Sequence, residues 1–192
     1  MACEPGCPGC ERLRAAALEL VGEGGIENLS LESLAARAGA QPAEVAGHYA
    51  TSRECVYETY DEVAADLRRE MMDAFDDGSD WQEGFELSRK RILERLALNP
   101  AEARLCFVET LRGDRGLRRR RDVNRRSIVD FLTREYARGA DGDAMRPIQI
   151  ELLIGAGFQA ISTAVSQDGG VDLAELGATL ADLQSCFLPV HA

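Results

Sequence analysis

The sequence predicts an all-α protein of about nine helices, a small three-helix head followed by a larger helical domain. Three observations carry this. Apolar residues recur at intervals of three and four along nearly the whole chain. Helix-start signals repeat, with Thr51 and Glu54, Ser79 and Gln82, and Asp172 and Glu175 each pairing a capping side chain with an acid or amide three positions on. No run of alternating β-branched residues appears.

The helices are expected at 10–23, 31–38, 42–48, 52–76, 80–97, 100–111, 115–138, 146–166 and 172–188. Between them lie GEGG at 22–25, Gly39, DDGSD, Asn99-Pro100, RGD at 112–114, RGADGD and QDGG, all of them turn or stop signals. The first helix turns Leu13, Ala17, Leu20 and Val21 inward. In the second, Ser30 is a cap, Leu31, Leu34, Ala35 and Ala38 form the buried face, and Gly39 supplies the left-handed stop. Pro42 suits the first turn of the third helix, which offers Val45 and Tyr49 to the core and leaves Gln41, Ala43, Glu44, Gly47 and His48 outside. Two such small helices need the first helix beneath them, and the three together form a helix-turn-helix unit.

The 192 residues hold a sizeable core, and 45% apolar against 29% charged residues fits a soluble globular protein. The window from Ile148 to Ser166 is the most apolar, but Gln149, Glu151 and Gln159 interrupt it, so no membrane partner is expected. The start, MACEPGCPGCERLR, lacks the apolar core of a secretory leader, and a cytoplasmic location is expected. Net charge is −11, yet the stretch from Arg112 to Arg138 holds ten arginines against four acids. Leu117, Val123, Ile128, Phe131, Leu132 and Tyr136 give that stretch a buried face, so its arginines are expected to cover a solvated face or pair with acids.

The run ERLRAAALELVGEGGIENLSLESLAARAGAQPAEVAGHYATSRECVYETY resembles the N-terminal domain of the TetR (tetracycline repressor) family. The shared features are AALEL before a glycine-rich turn, SLESLAARAGA as helix two and its turn, a short third helix ending in His48-Tyr49, and TSRE opening a long helix. ELLIGAGFQAIS and DLAELGATLADL resemble the family's regulatory domain more distantly. This chain has Ala46 where the family often has a tyrosine, and Ser52-Arg53 where it often has a lysine. After a cysteine-rich tail at 1–9, the resemblance implies a helix-turn-helix DNA-binding domain at 10–57 and a regulatory and dimerisation domain at 58–192. It implies a homodimer that binds a palindromic double-stranded operator, as a repressor, and responds to a small-molecule effector.

On that reading Ser30, Arg37, Gln41, Ala43, Glu44, Gly47, His48, Tyr49, Thr51 and Arg53 are the candidate DNA contacts. Gln41 suits adenine, Glu44 can accept from cytosine, and Ala43 admits a thymine methyl. Phosphates can be held by helix-start amides and by the hydroxyls of Ser30 and Thr51. Met71, Phe75, Trp81, Phe85, Cys106, Phe107 and Phe158 are candidate pocket walls, although aromatics at helical spacing are more often plain core. Ile150, Ile154, Gly157, Ile161, Leu173, Leu176, Leu180, Leu183 and Phe187 on the last two helices are candidates for a four-helix dimer interface.

CEPGCPGC places Cys3, Cys7 and Cys10 at soft-metal spacing, suited to a zinc ion or an iron–sulfur cluster. Cys55, His48, a second subunit or an exogenous ligand can supply a fourth ligand. The alternatives are a Cys7/Cys10 dithiol at a helix N-terminus, where thiolate chemistry is favoured, and a passive tail. Two histidines, no nucleophile elbow and no phosphate loop give no support to an enzyme. Two other functions remain open at this level. One is a redox or metal sensor working through the N-terminal cysteines. The other is a dimeric ligand-binding or interaction protein with a decayed head.

Overall fold

Apolar residues at helical spacing give helices throughout: the computed structural model describes residues 7–139, 147–166 and 173–187, and no strand occurs among them. The elements are α1 (Pro8–Gly24), a 3₁₀ turn (Ile26–Asn28), α2 (Leu31–Ala38), α3 (Pro42–His48), α4 (Ser52–Asp76), α5 (Trp81–Leu98), α6 (Pro100–Arg104), a π-helical turn (Leu105–Glu109), α7 (Thr110–Arg112), α8 (Arg115–Gly139), α9 (Pro147–Ser166) and α10 (Leu173–Phe187). Because α6, the π turn and α7 run on without a break, they are the single helix expected at 100–111. The start of α1 moves back to Pro8, with Cys7 as its N-cap, so the helix takes up part of the expected tail.

Local chemistry sets the ends. Ser30 accepts from the Ser33 amide at 3.1 Å, and Ser33 Oγ accepts from the Ser30 amide at 2.9 Å, a reciprocal cap on α2. Gly39, at φ +61°, closes α2 in the left-handed region that costs a side chain least as glycine. Thr51 Oγ1 accepts from the Glu54 amide at 3.3 Å, as its spacing predicts. At α5 the cap shifts by one residue. Asp80, rather than Ser79, accepts from the Glu83 amide, while Glu83 reaches back to the Ser79 amide and hydroxyl.

The chain divides into two compact units, Met1–Ala64 with Pro100–Arg120, and Ala65–Asn99 with Arg121–Ala192. This differs from a simple boundary at 57/58, because α6 packs on α1. Gly22 lies so close to Ala101 that an added Cβ would come within 2.9 Å of its methyl. The buried Glu109 carboxylate accepts from the Ile26 amide at 3.3 Å and from Arg104 Nε at 3.0 Å, tying the π turn to the 3₁₀ turn. The core of this first unit is Cys10, Leu13, Ala17, Leu34, Ala35, Val45, Tyr49 and Cys55. Full burial of each large aliphatic side chain contributes about 1.5–3 kcal/mol, so three helices with few apolar residues hold together only as a set.

In the second unit, Met71, Phe75, Trp81, Phe131, Leu132, Tyr136 and Ile150 form one cluster. Phe75 meets Phe131 edge-on at 5.3 Å, Trp81 meets Tyr136 edge-on at 5.1 Å and stacks on Phe85 at 5.1 Å. Trp81 satisfies its buried indole N–H by donating to the Leu132 carbonyl at 3.2 Å. The helix α10 packs on α5 and α9. By length and composition alone α9 is long and apolar enough to cross a membrane, with 28% of its most apolar stretch buried within the chain, and Glu151 on it pairs with Arg125 at 3.3 Å.

Candidate nucleic-acid interface

The third helix, α3, buries Val45 completely and exposes Gln41, Ala43, Glu44, Ala46 and Gly47. Nothing lies within 4 Å of a Cβ added at Gly47, so this face is open. Gln41 is the N-cap residue but its side chain makes no capping hydrogen bond, which leaves the amide available to a ligand. The exposed face is narrow and uncharged except at Glu44, which is engaged by Arg12 of α1.

Carboxylates also meet the other head arginines. Arg37 bridges Glu19 at 3.2 Å and Glu23 at 2.6 Å, and the Arg37 hydrogen bond holds the Glu23 carboxyl below its ordinary pKa. Arg14 binds Glu62 and approaches Glu58. Arg53, 68% exposed, pairs with Asp114 at 2.8 Å. A cation already paired with a carboxylate must exchange that partner to neutralise a phosphate. The head thus offers phosphates even less free positive charge than its composition suggests.

Tyr49 is a correction among the candidate contacts. Its side chain is 2% exposed and its hydroxyl donates to Glu58 at 2.9 Å, so it belongs to the core of the head. Ser30 and Thr51 are exposed but serve as caps, and their hydroxyls are shared with the backbone of α2 and α4. His48 is half-buried, with Nδ1 3.4 Å from Cys10 Sγ and 3.9 Å from Cys7 Sγ. Cys3 lies outside the described residues. Cys55 is fully buried, its thiol is pushed up to about 12 by burial, and it donates to the Leu13 carbonyl. It is therefore unsuited to complete a metal site.

Asp114 was not among the residues the sequence singled out. It accepts from Tyr57 at 2.7 Å and from the Leu117 amide at 3.0 Å, capping α8 while holding Arg53. Its sequence signals are the RGD break and its place just before the helix expected at 115–138, where aspartate is a preferred N-cap; neither points to Arg53 or Tyr57 as partners. Beside it opens a groove of about 240 Å³ lined by Ile26, Glu27, Leu29, Ser52, Arg53, Val56, Tyr57, Asp114 and Leu117. That is below the usual range for drug-sized ligands.

Of the candidate pocket walls, Met71, Phe75, Trp81 and Phe85 share the aromatic cluster of the second unit. Phe158 is half-buried on α9. Cys106 and Phe107 are buried in the π turn of the first unit.

The interface candidates also need correction. Ile150, Ile161, Leu176 and Leu180 are buried within the chain itself, so they stabilise the protomer's own core. Ile154 packs against the same aromatic cluster, and Leu183 is half-buried. The side chains of Leu173 and Phe187 lie outside the described residues. Exposed instead are Ile148 at 52% and Leu152 at 54%, one turn apart on α9, with open space at Gly155 and Gly157. In α8, Val123 is 54% exposed where a buried position was expected. The arginines there behave as expected, Arg120 pairing with Asp61 at 2.6 Å and lying over the Tyr57 ring, and Arg121 pairing with Asp122.

No protein-family model matches the chain, and no curated protein matches it by sequence. Solved structures do. The transcriptional regulator FadR from Bacillus subtilis, in complex with stearoyl-CoA, superposes with a TM-score of 0.80 at 15% identity, covering 93% of this chain and 99% of its own. SmeT in complex with triclosan gives 0.80 at 19% identity, covering 96% and 94%. A bacterial regulatory protein of the TetR family from Rhodococcus RHA1 gives 0.70 at 19% identity, covering 92% and 95%. The chain has the TetR fold. Within it, the positions that depart from the TetR pattern are exposed Ala46, Ser52, whose hydroxyl donates to the Leu29 carbonyl at 3.0 Å, and Arg53, held by Asp114.

Proposed function

We propose that the protein is a TetR-type transcriptional regulator, a cytoplasmic homodimer that binds a palindromic operator through α3 and acts as a repressor. The observation that supports this best is the division of labour on α3. Val45 and the following Tyr49 hold the helix to the head, while Gln41, Ala43 and Gly47 contribute nothing to the core and leave a smooth face that fits a major groove. Small residues allow close approach, and Gln41 is suited to a bidentate contact with adenine. The Ile148/Leu152 face of α9 is the surface we assign to dimerisation, which doubles every contact to the operator.

The effector is a small molecule with a substantial apolar part, received among the helices that carry the aromatic cluster of Phe75, Trp81 and Phe85. FadR bound to stearoyl-CoA and SmeT bound to triclosan support that chemistry by analogy of fold. Such a ligand weakens operator binding only by the difference in its affinity for the two conformations.

Selection of bound sequences from random double-stranded DNA tests the reading. The expected result is an inverted repeat, and Gln41→Ala should weaken that site by about 1–3 kcal/mol while leaving random DNA unaffected. Failure to enrich any sequence would support a ligand-binding or interaction protein with a decayed head instead.

A further inference from the structure

The first turn of α1 and the last residue of α3 meet at one point, where Cys7 Sγ, Cys10 Sγ and a ring nitrogen of His48 all lie within 4.8 Å of one another. We propose that these three side chains form a binding site for a thiophilic metal ion of the zinc type, with a fourth coordination position open.

The distances support tetrahedral coordination. With metal–sulfur bonds near 2.3 Å and metal–nitrogen bonds near 2.0–2.1 Å, tetrahedral ligands stand about 3.5 Å apart for sulfur and nitrogen and about 3.8 Å for two sulfurs. Cys10 and Cys7 stand 3.4 and 3.9 Å from His48 Nδ1. Both sulfur–nitrogen distances therefore lie within about 0.4 Å of that geometry, and the two sulfurs stand within 4.8 Å of each other.

Sequence explains how the three converge. Cys7 is the N-cap and Cys10 the third residue of α1, the two positions whose side chains meet in a reciprocal cap. Pro8 fixes the first turn, and Gly9 opens it. A Cβ at Gly9 would fall 2.5 Å from His48 Nε2, so the imidazole reaches the thiols because position 9 has no side chain. The α1 N-terminus favours the negative charge that two thiolates carry. On binding, each thiol releases its proton to solvent and its sulfur donates an electron pair to the metal, so affinity falls with falling pH.

A Cys7–Cys10 disulfide needs no imidazole, and Cys10 is only 1% exposed. The convergence of His48 on both sulfurs is what selects a metal over a dithiol switch. The site joins the start of α1 to the end of α3, and it stands whether or not the head binds DNA.

The test uses full-length protein, reduced and freed of metal, titrated anaerobically with cobalt(II) in the absence of DNA. One equivalent per chain should bind with the intense thiolate charge-transfer absorption of tetrahedral cobalt, be displaced by zinc, and raise the thermal midpoint. Cys7→Ser and His48→Asn should each lower affinity at least about tenfold, and Gly9→Ala should lower it with all three ligands still present. These positions are more exposed than Cys10, and far-ultraviolet circular dichroism verifies that each variant remains helical. Cys55→Ala should leave cobalt binding unchanged. Absence of a thiolate–cobalt band in the wild type, or its survival in the Cys7→Ser/His48→Asn double variant, would overturn the proposal.

Discussion

Cys55 and Cys10 belong to one core, yet chemistry separates them. Cys55 is sealed beneath α1, and its thiol is raised from its ordinary value to about 12, mainly by burial. The folded state therefore favours the neutral thiol. Below the unfolded thiol pKa of about 8.5 its contribution to stability is fully present, and between there and about 12 it is lost as the unfolded chain ionises first. Cys55→Ala should flatten the fall in denaturant midpoint above about pH 8.5; an equally steep fall in the variant would assign it to other groups. Native-state labelling should also spare Cys55 at neutral pH. At this scale the sequence was legible where a residue's role follows from its own helix: Ser30, Gly39 and Val45 behave as their spacing predicts. It was less legible where the partner comes from far along the chain. Glu109 and Asp114 became structural centres only once folding brought Ile26, Arg53 and Tyr57 to them.

Helix boundaries follow from short-range signals, which is why α2, α3 and α4 fall where caps, glycine and proline put them. The π turn at Leu105–Glu109 has no such signal, since one extra residue in a helical turn is a response to packing. Periodicity in the last helices showed that α9 and α10 are apolar without showing which side the protomer covers. The covered side includes Ile150, Ile161, Leu176 and Leu180. A charge at Leu176 would therefore disrupt the protomer, because an unpaired buried charge costs several kcal/mol. Leu152→Arg is the cleaner probe, since its side chain is already 54% exposed. It should leave the helical content and thermal midpoint of the protomer nearly intact while producing monomers in sedimentation. A Leu152→Arg variant that still sediments as a dimer would remove the Ile148/Leu152 face from the proposed interface.

Across the first unit, ten arginines face fourteen carboxylates, a net charge of −4, and all four arginines of the helix-turn-helix region are paired within the chain. An acidic reader of DNA must obtain affinity from base contacts, neutral hydrogen bonds and helix-start amides, with counterion release as a minor term. Each phosphate neutralised contributes about −0.9 to the slope of log affinity against log salt, so two arginines per protomer in a dimer predict about −4 or shallower. Binding to random DNA should be correspondingly weak. Arg53→Ala removes a cation that must first leave Asp114, and should weaken all sequences alike while flattening the slope. Gln41→Ala should leave the slope unchanged. The exposed arginines Arg112, Arg115, Arg118 and Arg119 belong to the same compact unit and supply the contrary outcome. A slope of about −10 would require that second basic surface to touch DNA, and charge reversal at Arg118 and Arg119 would then make the slope shallower by about 0.9 for each phosphate left without its cation.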